Sequence, residues 1–312
     1  MMTKARRGGN SQSYLVHGYG AVWGGIVRVH NEVCTQLAVR GHLDISCAPR
    51  GQVQVQTASV KSRQSGTRLR SFVADIWPAL TSRRIDVRVD SAPAFRLFSR
   101  SRFHVVIVHD LNFRRPDVHR ISTKQRYYRQ LLHRWALRRV DRVVVNSEST
   151  LTELKDFMPS CIDRAHVLPL PVDHVPFQAR PPRASSSRIR VLSFGHARNK
   201  GVDRILELMA NRPELDLVVI CPEDAWTQLW APEAERVGVS DRVTVLSEIS
   251  DDELFAEYAR CDVFCMLSTY EGYGLPIAEA LSLETPTVIS AVPVLIAPPP
   301  PCARPPRGPR SS

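Results

Sequence analysis

The chain has 312 residues, 43% hydrophobic and 23% charged, with a net charge of +11. This length suits two cores better than one. No apolar run is long enough for a spanning helix, and the basic stretch Met1–Gly9 is not followed by the apolar run of a signal peptide. The seven scattered cysteines form no C-x-x-C pair, so neither a disulfide framework nor a thiolate metal site is expected, and a reduced, cytoplasmic protein is.

In chain order, Ser13–His17 reads as a short strand, followed by a glycine-rich turn, Gly18–Gly25. Ile26, Val29, Val33 and Leu37 recur at helical spacing, and Gly41 suits the end of that helix. Leu43–Ala48 alternates like a strand, while residues 50–82 carry no clear pattern. Phe103–Val108 is a buried strand running into His109-Asp110, and residues 122–139 read as a helix. Arg142–Ser147 is another buried strand. A helix then opens at Ser149, with a capping-box pattern around Ser149, Thr152 and Glu153. Val167–Pro171 is an extended exit. The Pro/Ser/Arg-rich stretch 178–188 has linker composition.

A second alternation follows. Strands are expected at Ile189–Phe194, Leu215–Cys221, Val243–Leu246, Asp262–Leu267 and Thr287–Ser290. Helices are expected at Gly201–Asn211, Glu223–Val237, Asp251–Arg260 and after Pro276. Continuous apolar strands between helices imply parallel sheets covered on both faces. The expected architecture is α/β, with two facing Rossmann-like, doubly wound domains. Residues 1–177 form the first, 178–188 the linker, and 189–295 the second. Residues 296–312 form a Pro/Arg-rich disordered tail. The positive charge lies mostly in the first half: residues 61–104 hold ten Lys and Arg against three Asp, and residues 112–142 ten against two. Such charge favours anionic partners.

Ligands of open parallel sheets bind beyond the carboxyl ends of the strands. That rule selects Gly18–Gly25, His109-Asp110, Gly195–Gly201 and Ser268–Gly274, on two sheets expected to flank a cleft. In the last, Glu271 and Glu279 stand eight positions apart, with Gly272, Gly274 and Pro276 between them. A strand turning through glycines into a helix presents backbone N–H groups to an anion. Two carboxylates beside it suit a ligand rich in hydroxyls. Phosphate and polyol in one molecule point to a sugar nucleotide. Without that context the two glutamates would read as solvated helix charges. Paired carboxylates also serve glycoside hydrolysis, which the phosphate-cradle setting argues against.

The run Glu271-Gly-Tyr-Gly-Leu-Pro-Ile-Ala-Glu-Ala280 resembles the retaining glycosyltransferases of family 4, which have the GT-B fold. The resemblance is most specific at 262–290 and weakest at 50–95. It implies that Glu271 lies near the transferred sugar and Glu279 binds the nucleotide ribose. It also implies that Gly272, Tyr273, Gly274 and Leu275 meet the diphosphate. Gly195–Gly201 resembles the family's basic diphosphate clamp, with Lys200 aligned and Arg198 standing in for an arginine where this chain has His196. Positive charge belongs there because the leaving diphosphate gains charge as its glycosidic bond breaks. Gly24-Gly25 resembles the glycine loop near the donor phosphate, with a plain tight turn as the other reading. His109-Asp110 resembles the family's H-D motif, with His109 touching the sugar, and Asn146-Ser147 resembles the serine at the next strand end.

The resemblance therefore implies a retaining hexosyltransferase that uses a nucleoside-diphosphate sugar, with no metal or other cofactor, and a glycan or lipid-linked acceptor. Nucleic acid is not an expected partner, since no basic-aromatic binding motif is present. Helix 122–139 carries Lys124, Arg126, Arg129, Arg134, Arg138 and Arg139 beside Tyr127, Tyr128, Leu131, Leu132 and Trp135. Peripheral contact with an anionic bilayer suits it, as does an ordinary wet helix face. The resemblance fades near Leu295, and Glu284 stands where the family has a helix-ending glycine. The second domain, 189–295, is therefore expected to be incomplete, and the rival expectation to an active enzyme is an inactive, glycosyltransferase-like fragment with weak or no nucleotide binding.

Overall fold

A computed structural model describes residues 13–17, 29, 33–37, 42–46, 61–63, 85–93, 101–116, 121–170, 172, 175 and 188–296. The turn Gly18–Gly25, Gly41, residues 178–187 of the linker and the tail beyond residue 296 lie outside them. The chain divides into two compact units. The first is Met1–Phe113 with Ile121–Leu168; the second is Arg114–Arg120 with Pro169–Ser312.

The first unit holds β1 (Ser13–His17), β2 (His42–Ser46), β3 (Lys61–Arg63), β4 (Ile85–Asp90), β5 (Ser101–Val108), β6 (Arg142–Val145) and β7 (Ala165–Val167). They form one sheet in the order β3-β2-β1-β4-β5-β6-β7, and every pairing is parallel. Residues 33–37 are helical, and Val33 and Leu37 pack with Tyr14 and Val16. Helix α1 (Thr123–Arg138) starts with a complete capping box. Gln125 N–H donates to Ser122 Oγ at 3.2 Å, and Ser122 N–H donates to Gln125 Oε1 at 3.1 Å. Helix α2 (Glu148–Phe157) begins earlier than the sequence implied. Its cap is Ser147, whose Oγ accepts from Thr150 N–H at 3.1 Å, not the expected box around Ser149. Ser147 leaves β6 with extended backbone, so its hydroxyl already lies over the first free N–H groups. Strand β4 escaped the sequence reading because it interleaves Arg88 and Asp90 with its valines, and both charges are buried.

The second unit holds β8 (Ile189–Phe194), β9 (Leu215–Ile220), β10 (Val243–Leu246), β11 (Val263–Met266) and β12 (Thr287–Ile289). Their order is β10-β9-β8-β11-β12, again parallel throughout. Helices α3 (Val202–Ala210), α4 (Glu223–Leu229), α5 (Ala231–Arg236), α6 (Asp251–Arg260), α7 (Leu275–Ser282) and α8 (Pro293–Ile296) complete it. Val191, Leu217 and Val219 point into one buried cluster, while Leu192, Val218 and Phe264 point into another. Both faces are thus covered, as continuous apolar strands require. The single helix expected over Glu223–Val237 is broken at Trp230. Pro232 cannot donate to the preceding turn, so the chain bends and restarts. The bend buries Trp230, whose indole N–H donates to the Gly195 carbonyl at 2.6 Å.

Cys34, Cys161, Cys221, Cys261 and Cys265 are all unbridged and buried. Burial pushes the Cys34 thiol up to about 12 and the Cys221 and Cys265 thiols up to about 11.

Candidate functional site

In both sheets the chain reverses its direction of growth at one seam. In the second unit β9 and β10 lie on one side of β8, and β11 and β12 lie on the other, so the switch falls between β8 and β11. Ligand crevices open at such seams. The loop after β8 carries Gly195 to Gly201, and the loop after β11 carries Ser268 to Gly274.

These loops are bound to each other. Lys200 Nζ donates to Glu271 Oε1 at 2.7 Å, with side chains only 9% and 11% exposed. Asn199 Nδ2 donates to the Tyr270 carbonyl at 3.0 Å, and Thr269 N–H donates to the Asn199 carbonyl at 2.9 Å. The sequence reading passed over Asn199, since an asparagine between charged neighbours carries no signal of its own. Gly201 adopts φ +71, and a Cβ there would lie 2.2 Å from the Leu267 carbonyl oxygen. Glycine is therefore required for the two loops to meet. Arg198 sits in a single 3-10 turn, Arg198–Lys200, and is exposed.

Helix α7 starts immediately after Gly274, at φ +85, with Pro276 in its first turn. A Cβ on Gly274 would meet Leu295 Cδ2 at 2.6 Å. Leu275 is buried with Val172 and Ala278, and Gly272 is half-buried. Tyr273 packs against the same cluster and donates its O–H to the Leu170 carbonyl at 3.0 Å. Glu279 lies one turn into α7, 2% exposed, and Tyr258 Oη donates to its Oε2 at 3.2 Å. The two glutamates of the motif thus have separate partners. The helix ends with Thr285 N–H donating to the Ala280 carbonyl and Glu284 N–H to the Leu281 carbonyl. This closure usually calls for glycine, and Glu284 takes it at φ +56.

In the first unit the seam lies between β1 and β4. Gly24 and Gly25 lie outside the described residues, so this side is defined by β4 and β5. His109 follows β5, is half-buried, and donates Nε2–H to the Ser91 carbonyl at 2.9 Å, just past β4. Burial pushes its pKa down to about 4, against the opposing pull of that hydrogen bond. The ring is therefore neutral near pH 7. Asp110 caps its own loop, its Oδ1 accepting from Asn112 N–H at 3.0 Å. Asn146 accepts from Thr150 Oγ1 at 3.2 Å, so Asn146 and Ser147 both serve the start of α2. A buried cluster missed in the sequence lies under this edge. Arg88 Nε donates to Asp90 Oδ1 at 2.9 Å, and His104 Nε2 lies 2.8 Å from Asp90 Oδ2.

No group of three or more His, Cys, Asp or Glu suited to hold a metal ion occurs among the described residues. No helix among them is long and apolar enough to cross a membrane.

Residues 23–175 match the family model "Glycosyltransferase Family 4", and residues 177–296 match "Glycosyl transferases group 1". The chain is 36% identical over 170 residues to the MMP alpha-(1->4)-mannosyltransferase of Mycolicibacterium hassiacum. That alignment covers 52% of this chain and 40% of the relative. It is 31% identical over 168 residues to a D-inositol 3-phosphate glycosyltransferase of a Mycobacterium species, covering 49% and 37%. The aligned stretches thus span less than half of these relatives' own length. Among solved structures, sucrose-phosphate synthase from Thermosynechococcus elongatus matches with a TM-score of 0.70 at 18% identity, covering 90% of this chain and 82% of that one. WaaG, a glycosyltransferase involved in lipopolysaccharide biosynthesis, matches with a TM-score of 0.70 at 17% identity, covering 89% and 81%. At such identities the likeness shows the fold, which is GT-B. The family models and relatives together support a glycosyltransferase.

Proposed function

We propose that this glycosyltransferase-like chain moves a hexosyl group from a nucleoside-diphosphate sugar to an acceptor hydroxyl, with retention of configuration and without a metal or other cofactor. The observation that carries this reading is the Lys200–Glu271 pair, held between two loops at the switch point of the second sheet. A buried ammonium there stabilises the charge that grows on the leaving diphosphate. The N–H groups at Gly272, Tyr273, Gly274 and Leu275 open α7 and face the same anion. Glu271 accepts hydroxyls of the transferred sugar, Glu279 accepts those of the ribose, and the exposed Arg198 adds a second cation for phosphate. Gly24 and Gly25 let backbone approach the donor, and neutral His109 touches the sugar. The C1–O bond to the diphosphate breaks, and the C1–O bond to the acceptor forms on the same face. The acceptor proton passes to a diphosphate oxygen.

The mannosyltransferase among the relatives makes mannosyl donors the first to try, and the likeness to WaaG, involved in lipopolysaccharide biosynthesis, favours an acceptor of that class. We place the protein in the cytoplasm, in peripheral contact with the membrane through α1. That helix contains no carboxylate and presents Tyr127, Tyr128 and Leu131 at 69%, 54% and 50% exposure beside Lys124, Arg134 and Arg138. Nucleic acid is not a partner in this reading.

The test is to incubate the purified chain with UDP- and GDP-sugars and follow donor cleavage and product anomer by NMR. Cleavage or transfer with the donor's anomeric configuration retained supports the proposal. A folded chain that binds and cleaves none of these donors overturns it and points to an inactive fragment. Loss of binding to vesicles containing phosphatidylglycerol in a Lys124→Glu/Arg138→Glu variant tests the membrane contact separately.

A further inference from the structure

We propose that Tyr258 is a positioning residue for the donor nucleotide: its phenol fixes the Glu279 carboxylate in the orientation that accepts the ribose hydroxyls. This rests on the role given to Glu279 above. Glu279 is 2% exposed, and an ionised carboxylate so buried is costly unless donors surround it. Tyr258 Oη supplies one, 3.2 Å from Oε2.

The phenol is itself rigidly placed. Its ring is fully buried and meets Phe264 edge-on at 5.2 Å, and Phe264 meets Phe194 edge-on at 6.1 Å. The Tyr258 carbonyl accepts from Thr285 Oγ1 at 2.8 Å, which ties α6 to the end of α7. Helix α6 starts with a complete capping box at Ser250 and Glu253, so the register of Tyr258 is fixed from both ends. A carboxylate has about four lone-pair sites. A phenol donating to one of them holds the plane of the group and keeps it an acceptor, the state that two adjacent sugar hydroxyls need. A dangling glutamate would have to be ordered when the ligand binds, at a cost in side-chain entropy.

The test compares binding of UDP and GDP with that of their 2′-deoxy counterparts by calorimetry. In Tyr258→Phe the preference for ribose should fall about tenfold, the worth of a hydrogen bond to a charged group, with affinity for the deoxy ligand unchanged. Added to Glu279→Gln, Tyr258→Phe should have no further effect. Equal weakening of both ligands would make Tyr258 merely structural and overturn the proposal, as would an unchanged ribose preference. If Glu279→Gln itself leaves the ribose preference intact, the role of Glu279 fails first, a result distinct from failure of Tyr258 alone. A cooperative melt establishes that Tyr258→Phe folds. If it does not, 3-fluorotyrosine incorporated at position 258 keeps the shape and strengthens the donor. It must raise the ribose preference, and no change would overturn the proposal.

Discussion

The two sheets handle polarity in opposite ways at the carboxyl ends of their strands. In the second unit, opposite charges meet across the seam, Lys200 on one loop and Glu271 on the other, and Asn199 stitches the same loops together. In the first unit, at the ends of β4 and β5, a ring is held neutral, His109 on the Ser91 carbonyl, with Arg88, Asp90 and His104 clustered in the strands beneath. The same parallel-sheet geometry thus carries a buried ion pair at one strand end and a neutral ring at another. The charges at the strand ends, not the fold, distinguish their chemistry.

Lys200→Ala and Glu271→Ala should each lower donor cleavage by more than about 100-fold if the pair meets the reacting centre. Each also strands a buried charge, at about 3 kcal/mol of stability in urea unfolding. Removing both together should cost less than the sum of the single losses. Additive losses would mean that the two residues act apart. Gly201→Ala should cost about 2 kcal/mol or more, because it combines a left-handed backbone with a close approach to the Leu267 carbonyl. An alanine tolerated there would show that the loops are not tightly joined.

The neutral edge is sharpened by pH. The folded pKa of His109 lies near 4, below the ordinary value of 6.5. His133, packed on Phe113 at 4.5 Å, is likewise pushed down to about 4 by burial. Between these values the unfolded chain takes up protons that the folded chain does not. The contribution to stability is therefore full above pH 6.5, declines as pH falls, and is lost below pH 4. Unfolding curves from pH 7 to pH 4 should show this decline, and His109→Gln should flatten it. An unchanged slope would mean that His109 is solvated. The smallest expected effect concerns α7. Glu284→Gly should add about 1 kcal/mol, since it relieves a left-handed side chain at the helix end. Thermal unfolding reads it directly.

Much of the second unit was legible because its strands are short apolar runs between helices with clear starts. Ile189–Phe194 and Val243–Leu246 fall where the pattern put them. The helix Asp251–Arg260 does so behind its Ser250 cap. In the first unit, β3 and β4 were not legible. One is only three residues long, and the other hides buried charges that a hydropathy reading takes for surface. The Glu271 motif pointed to an anion site through its glycines, and the structure joins its loop to Lys200. It could not reveal that Glu279 turns inward to Tyr258, because a partner 21 positions away on another helix leaves no local trace.

The buried thiols turn the protein into its own stopwatch. With thiol pKa values near 11 and 12, Cys34, Cys221 and Cys265 hold almost no thiolate at neutral pH, so alkylation waits on opening. Cys34 and Cys161 belong to the first unit; Cys221, Cys261 and Cys265 belong to the second. Pulse alkylation read by peptide mass therefore times the opening of each unit separately, in a single tube and without an engineered label.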